Sequence, residues 1–206
     1  KIRLLMSPEI LEETPGPFKQ EKEALNQDEV PTFEDIFGED LNFPIENYPV
    51  AEESAEQRLE AFIDSSVKQY KELRDFPSIA ATSNLSSSFA IGLISSKQAI
   101  NRVLSRLPDD AGTGQFTWIN EIIWREFYKY IAYHFPHVSK GKSFIPKYDN
   151  IPWREDEASF NKWCNGQTGV PIIDAAMRQL YKEKWMHNRL RMITAMFLSK
   201  NLLIDW

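Results

Sequence analysis

Cys164 is the only cysteine among 206 residues, so no disulfide can form within the chain. A single thiol fits a reducing compartment. The three histidines, His134, His137 and His187, have neither the spacing nor the carboxylate partners of a metal site. Glycine is scarce, at eight residues, and builds no phosphate-cradling loop. No nucleophile stands in a pattern with a general base, so any chemistry is expected to come from a cofactor. No apolar run is long enough to span a bilayer, and no N-terminal apolar segment with a cleavage site is present. These absences point to a soluble, cytoplasmic chain with no membrane partner. Strand patterns, internal repeats and low-complexity tracts are also missing, and the fold class expected is all-α.

What is present is unevenly spread. Apolar residues make up 42%, enough for a core at this length. Residues 1–66 carry 5 Lys/Arg against 17 Asp/Glu, a net charge of −12. Residues 67–206 carry 19 against 13, a net charge of +6, and hold all six tryptophans. The whole-chain charge of −6 therefore hides a basic, aromatic part suited to nucleic acid. A solvated positive surface would look the same.

Residues 1–50 are rich in Pro and Glu and read as a linker. Its apolar clusters, 2–6 and 33–37, read as docking points, the first as the end of a strand. Residues 51–206 read as one helical domain. Helical spacing predicts helices over 52–70, over 87–107 as one or two pieces, and over 115–135. A turn rich in Pro, Asp and Gly follows at 108–112, and a loop is expected over 140–152. Further helices are expected over 155–165, over 171–182 with Pro171 at its first position, and over 187–200.

Three segments stand out. Residues 185–192, Trp-Met-His-Asn-Arg-Leu-Arg-Met, place Trp185, Asn188, Arg191 and Met192 on one helical face. An aromatic, an amide, a guanidinium and a thioether together suit a large planar ligand; an ordinary amphipathic helix is the plainer reading. Residues 82–88 set hydroxyls and an amide before a helix, an arrangement that can bind a pyrophosphate or simply cap the helix. On the 115–135 helix, Trp118, Glu121, Trp124, Arg125 and Tyr128 share a face. A carboxylate between aromatics can hold an extruded base by its edge and its ring; Glu121 paired to an arginine in a core helix is the alternative. Trp153, Trp163 and Trp206 read as core residues, and His134 and His137 as solvated.

The strings Arg74-Asp75-Phe76-Pro77, Thr82-Ser83-Asn84-Leu85-Ser86, residues 118–128, residues 168–178 and residues 185–206 together resemble the DNA photolyase/cryptochrome family. Within it they are most similar to class I cyclobutane pyrimidine dimer photolyases of bacterial type. The resemblance implies a helical FAD-binding domain, here partial, preceded by an irregular interdomain linker. It implies FAD contacts at Tyr70, Thr82, Ser83, Asn84, Leu85, Ser86 and Trp118, with Arg125 and Arg191 at the flavin and Asn188 between flavin and lesion. It implies that Glu121 and Trp124 hydrogen-bond and stack on a flipped pyrimidine dimer. Arg74 and Arg189 would contact DNA, Met192 the lesion, and Arg125 and Tyr128 lie on the same DNA-facing side. Trp153 and Trp206 match electron-transfer tryptophans, Lys140 an antenna contact, and Trp163 stays in the core.

The activity implied is light-dependent repair of UV-damaged DNA by electron transfer from excited reduced FAD. In the family a folate or deazaflavin antenna assists, and the full-length protein is expected to be a monomer. Relative to the family, the antenna domain, an Asp/Asn-rich flavin-contacting segment and a third tryptophan are missing, and the linker around 14–19 is short. The chain is therefore expected to be a fragment that binds FAD weakly, is inactive alone and self-associates through uncovered apolar faces. Two other functions compete: a blue-light-sensing cryptochrome, disfavoured by Trp124 and Met192, and a cofactor-free helical nucleic-acid binder. Asn188 also disfavours the (6-4) photolyases, which have a histidine there.

Overall fold

The computed structural model describes residues 48, 50–107 and 113–206. The expected linker features at 2–6, 14–19 and 33–37 and the turn at 108–112 lie outside the described residues. Among those described the chain is all helix, turn and loop, with no strand. No helix among them is long and apolar enough to cross a membrane.

Helix α1 (Glu52–Ser65) starts with Glu52 and Glu53, whose charges favour a helix N-terminus. It buries Ala55, Leu59, Phe62 and Ile63, one stripe at helical spacing. The single helix expected over 52–70 is interrupted. Ser65 Oγ donates back to the Ala61 carbonyl at 2.7 Å, and Ser66 leaves helical geometry at φ −127°. Serine hydroxyls compete in this way with the helix ladder. A 3-10 turn (Val67–Gln69) and the short α2 (Tyr70–Leu73) follow.

The 87–107 stretch is two helices, α3 (Ser86–Ile91) and α4 (Ser96–Arg106). Gly92, at φ +82°, ends the first. Ser95 and Gln98 start the second with a reciprocal capping box. Helix α5 (Thr113–His134) is the long central element. The expected loop at 140–152 contains a 3-10 turn (Pro146–Asn150). Helices α6 (Glu157–Cys164), α7 (Pro171–Glu183) and α8 (Asn188–Met196) follow, the last running into a π-helical turn (Phe197–Asn201).

Two apolar clusters hold these elements. The first joins α1, α3, α4 and α5 through Leu59, Phe62, Val67, Leu85, Val103 and Ile119. The second joins α7 and α8 through Ile173, Ala176, Met177, Met186 and Leu190. Trp163 is half-buried; it packs against the edge of the second cluster and donates its indole N–H to the Thr194 carbonyl at 3.2 Å.

Gly114 lets α5 meet the 3-10 turn. A Cβ there would lie 2.3 Å from the backbone oxygens of both Val67 and Lys68. Alanine favours a helix by about 1 kcal/mol over glycine. Two backbone clashes outweigh that gain, and Gly114→Ala is expected to cost about 1–3 kcal/mol in a urea melt.

Asp174 organises the entry to α7. It is buried and accepts from the Thr168 hydroxyl (2.6 Å), the Thr168 N–H (2.7 Å) and the Gly169 N–H (3.0 Å). The Thr168 hydroxyl leads the interactions that hold its pKa below the usual carboxylate value. A depressed pKa adds stability above the unfolded-state value and loses it as pH falls through the folded one. Asp174→Asn is therefore expected to melt several degrees lower at neutral pH, with the gap narrowing below about pH 4. Thermal melts at both pH values check this.

Candidate flavin cleft and DNA-facing surface

A cleft of about 680 Å³ opens between the two clusters. Arg58, Phe62, Thr82, Ser83, Asn84 and Ser87 line one side, and Lys182, Glu183 and Trp185 the other. The size suits a cofactor-sized ligand. One wall carries hydroxyls, an amide and a guanidinium, and Phe62 and Trp185 supply aromatic surface. The donor set fits a ligand with phosphates and a planar ring. Arg58 donates to the Asn84 carbonyl at 3.2 Å, and the Thr82 hydroxyl meets the Asn84 side-chain oxygen at 3.0 Å. Asn84 holds a left-handed backbone, φ +52°, which asparagine tolerates better than most residues.

The 82–88 segment is used differently from the expectation. Leu85, not a serine, occupies the cap position of α3 and makes no side-chain cap bond. Leu85 is buried in the first cluster and Ser86 is exposed. The residues facing the cleft are Thr82, Ser83, Asn84 and Ser87.

The face of α5 also divides. Trp118 and Trp124 lie roughly 120° apart around the helix at 100° per residue. Trp118 is only 3% exposed and packs on Phe62 at 5.3 Å, in the core behind the cleft. Trp124 is 46% exposed, edge-on to Phe127 and tilted against the exposed Tyr128. Arg125 does not line the cleft. It donates to the Phe89 carbonyl at 2.7 Å, pairs with Glu126 at 2.5 Å and lies over the Phe89 ring.

Glu121 pairs with Arg74 at 2.6 Å, as the plainer reading of that face expected. Burial opposes the Arg74 charge, but the Glu121 hydrogen bond and neighbouring anions win and raise its pKa. Arg74 also lies over the Tyr70 ring, 5.3 Å from its centroid. Burial pushes the Tyr70 hydroxyl pKa up, with Arg74 opposing.

Residues 185–192 do not form one helical face. Lys184, at φ +56°, ends α7, and helical geometry resumes only at Asn188. Trp185 therefore precedes α8; it lines the cleft and meets the His187 ring edge-on. His187 is the cap of α8: its Nδ1 accepts the Arg189 N–H at 3.2 Å. Burial lowers its pKa, while the Arg74 backbone and Asp75 act the other way. Capping needs an unprotonated Nδ1, and burial favours that neutral form. Asn188 and Met192 are exposed at the surface. Arg189 bonds the Asp75 carboxylate, which lowers the Asp75 pKa, and reaches the Met192 sulfur at 3.8 Å. Arg191 is exposed and donates through Nε to the Met186 carbonyl at 2.9 Å.

Trp153 and Trp206 are not core residues. Trp153 is half-buried and Trp206 exposed, and both line a second groove of about 700 Å³ with Phe144, Tyr148, Lys142 and Lys200. The Arg154 N–H donates to the Leu203 carbonyl at 2.7 Å, tying their segments together. Lys140 is exposed at the end of a 3-10 turn (Pro136–Lys140). His134 is exposed as expected, but His137 is half-buried, with its ring edge-on to Phe135.

A family model described as the FAD binding domain of DNA photolyase matches residues 118–206. A deoxyribodipyrimidine photo-lyase of Escherichia coli is 45% identical over 173 residues, which cover 81% of this chain and 36% of that protein. The chain belongs to the DNA photolyase/cryptochrome family. It spans about a third of the length of the curated relatives it matches. A bacterial class III photolyase from Agrobacterium tumefaciens aligns with a TM-score of 0.70 at 44% identity, covering 76% of this chain and 32% of that one. A cryptochrome from Synechocystis sp. PCC6803 aligns at 0.66 and 30% identity, covering 80% and 35%. The all-α architecture is thus that of the photolyase/cryptochrome FAD-binding domain.

Sequence reasoning missed Arg58, Lys182 and Glu183 on the cleft. Arg58 had a legible signal: it flanks the apolar stripe of α1 one residue before Leu59. Asp75 reads from sequence as part of a turn, 75–77, and of a matching string, and its partner Arg189 lies 114 residues away.

Proposed function

We propose that the chain is the early part of the FAD- and DNA-binding domain of a light-dependent DNA repair enzyme. The enzyme is read as a deoxyribodipyrimidine photo-lyase of class I bacterial type, with residues 1–50 as linker and domain end and 51–206 as the helical part. The observation that carries this is the exposed Trp124 one turn from Glu121 on α5, where Glu121, the partly buried Arg74, Asp75, Arg189 and Met192 form one connected row of contacts. An extruded pyrimidine dimer needs an aromatic platform, an acceptor for its base edge and cations for the flanking phosphates.

FAD bound in the cleft would supply the light-driven electron that opens the cyclobutane ring. The protein's part is placement. Thr82, Ser83, Asn84, Ser87, Arg58 and Lys182 would hold the phosphates, and Phe62 and Trp185 would pack on apolar surface. Tyr70 and Trp118 support that wall from the core, and Asn188 stands at the start of α8. Arg74 engages only Oε1 of Glu121, so the second carboxylate oxygen would accept the base edge while the ion pair holds the carboxylate in place. Arg125, held by Phe89 and Glu126, braces the helix that carries Trp124 and Tyr128. Trp153 and Trp206 are proposed to relay electrons, and Lys140 to meet an antenna chromophore, a folate or deazaflavin.

The reading is tested by titrating the whole protein that contains this sequence, with flavin bound, against a thymine-dimer duplex and its undamaged twin at several salt concentrations. Tight dimer binding, weak binding of the twin and a fall of both with salt are expected. Equal affinity for the two duplexes contradicts it.

A further inference from the structure

We propose that the Asp75–Arg189 ion pair is the clamp that sets the width of the cleft, and that Asp75 is a positioning residue for whatever the cleft holds. The inference deepens the flavin-binding reading and rests on it. The cleft walls stand on elements held by different clusters: Phe62 is in the first, and Lys182 and Glu183 end α7, which the second holds. Its width is therefore not fixed by one continuous packed core. Besides the hydrogen bond between the His187 side chain and the Arg74 backbone, these side-chain bonds cross from one wall to the other among the described residues. Tyr48 donates to the Glu183 carbonyl at 2.8 Å, and Arg189 bonds Asp75.

The second tie has firm anchors at both ends. Asp75 sits in a turn closed by the Phe76 N–H to the Leu73 carbonyl (3.1 Å) and the Ile79 N–H to the Phe76 carbonyl (3.0 Å). The following Pro77 restricts that turn further. Arg189 is the second residue of α8, and its backbone N–H is held by the His187 cap. Both ends start from held backbones, so the Arg189 side chain is the only long adjustable link, and an exposed pair of this kind supports a modest effect. Asp75 also lies 3.7 Å from Arg74 Nε, so one carboxylate faces guanidinium groups from both walls. Trp185 is four residues before Arg189, across the cap, so loosening the clamp frees the Trp185 wall.

Asp75→Asn and Arg189→Gln each remove the clamp from one side, and the double variant removes both partners. Asp75 is half exposed, so the substitution opens no cavity. The readout is the dark rate of FAD release, by flavin fluorescence, from the whole protein that contains this sequence. Each single variant is expected to release FAD roughly three- to tenfold faster, with the double no faster than the singles, because contacting partners are not additive. Asp75→Glu, which keeps the charge, should restore most of the retention. Wild-type release from Asp75→Asn, or effects that multiply in the double variant, would overturn the clamp. A wild-type protein that never retains FAD would instead overturn the flavin-binding reading beneath it.

Discussion

Trp124→Ala is expected to weaken binding to a thymine-dimer duplex by about 1–3 kcal/mol, roughly 5- to 150-fold, the worth of one stacked base. Binding to undamaged duplex should barely change, because Trp124 touches no phosphate in this reading. The fold should survive, since the ring is 46% exposed and rests mainly on Phe127 and Tyr128. The salt dependence should also keep its slope, which counts phosphate contacts. A gel-shift or anisotropy titration of both duplexes separates these effects. Equal losses on the two duplexes would mean that Trp124 supports the surface generally and holds no base. Trp118→Ala is the informative contrast. That ring is in the core, so its loss should lower the melting temperature before it changes any discrimination.

Trp153→Phe and Trp206→Phe are each expected to abolish light-driven reduction of oxidised flavin in the whole protein. Repair by chemically reduced flavin should remain. The structure gives both tryptophans one groove and ties their segments through the Arg154–Leu203 bond. A phenylalanine keeps the apolar volume but is far harder to oxidise than an indole, so packing and electron relay are separated. Absorbance changes under blue light check the first statement, and dimer repair after dithionite checks the second. Photoreduction that survives both substitutions would assign the two residues to packing alone.

Local signals in the sequence are legible where one residue type decides the geometry. Pro171 opens α7 where expected; the 87–107 stretch, expected as one or two pieces, is divided by Gly92 and the Ser95–Gln98 box, two signals the reading did not use. Where the decisive event was a rarer choice, the sequence misled. Lys184 ends α7 in a left-handed conformation usually left to glycine or asparagine, and His187 caps α8 with its ring. Together these turned one supposed face, Trp185 to Met192, into two separate pieces. The Ser65–Ala61 back-bond split α1 from the following turn in the same unannounced way.

The candidate site was legible as a set of residues, through resemblance, but not as a set of partners. Glu121 and Arg74 are 47 residues apart and Asp75 and Arg189 are 114 apart. Nothing in local periodicity encodes such pairs. Nor did the helical face of α5 distinguish Trp118 from Trp124, because burial depends on where α1 and Phe62 pack.

The central claim is that this surface and cleft serve light-driven repair. The most direct test is light-minus-dark repair of a thymine-dimer oligonucleotide by the whole protein that contains this sequence, with its flavin reduced. The account predicts restored thymines in blue light and none in the dark. Flavin clearly bound with no repair in light would contradict it and leave a light-sensing cryptochrome as the better reading.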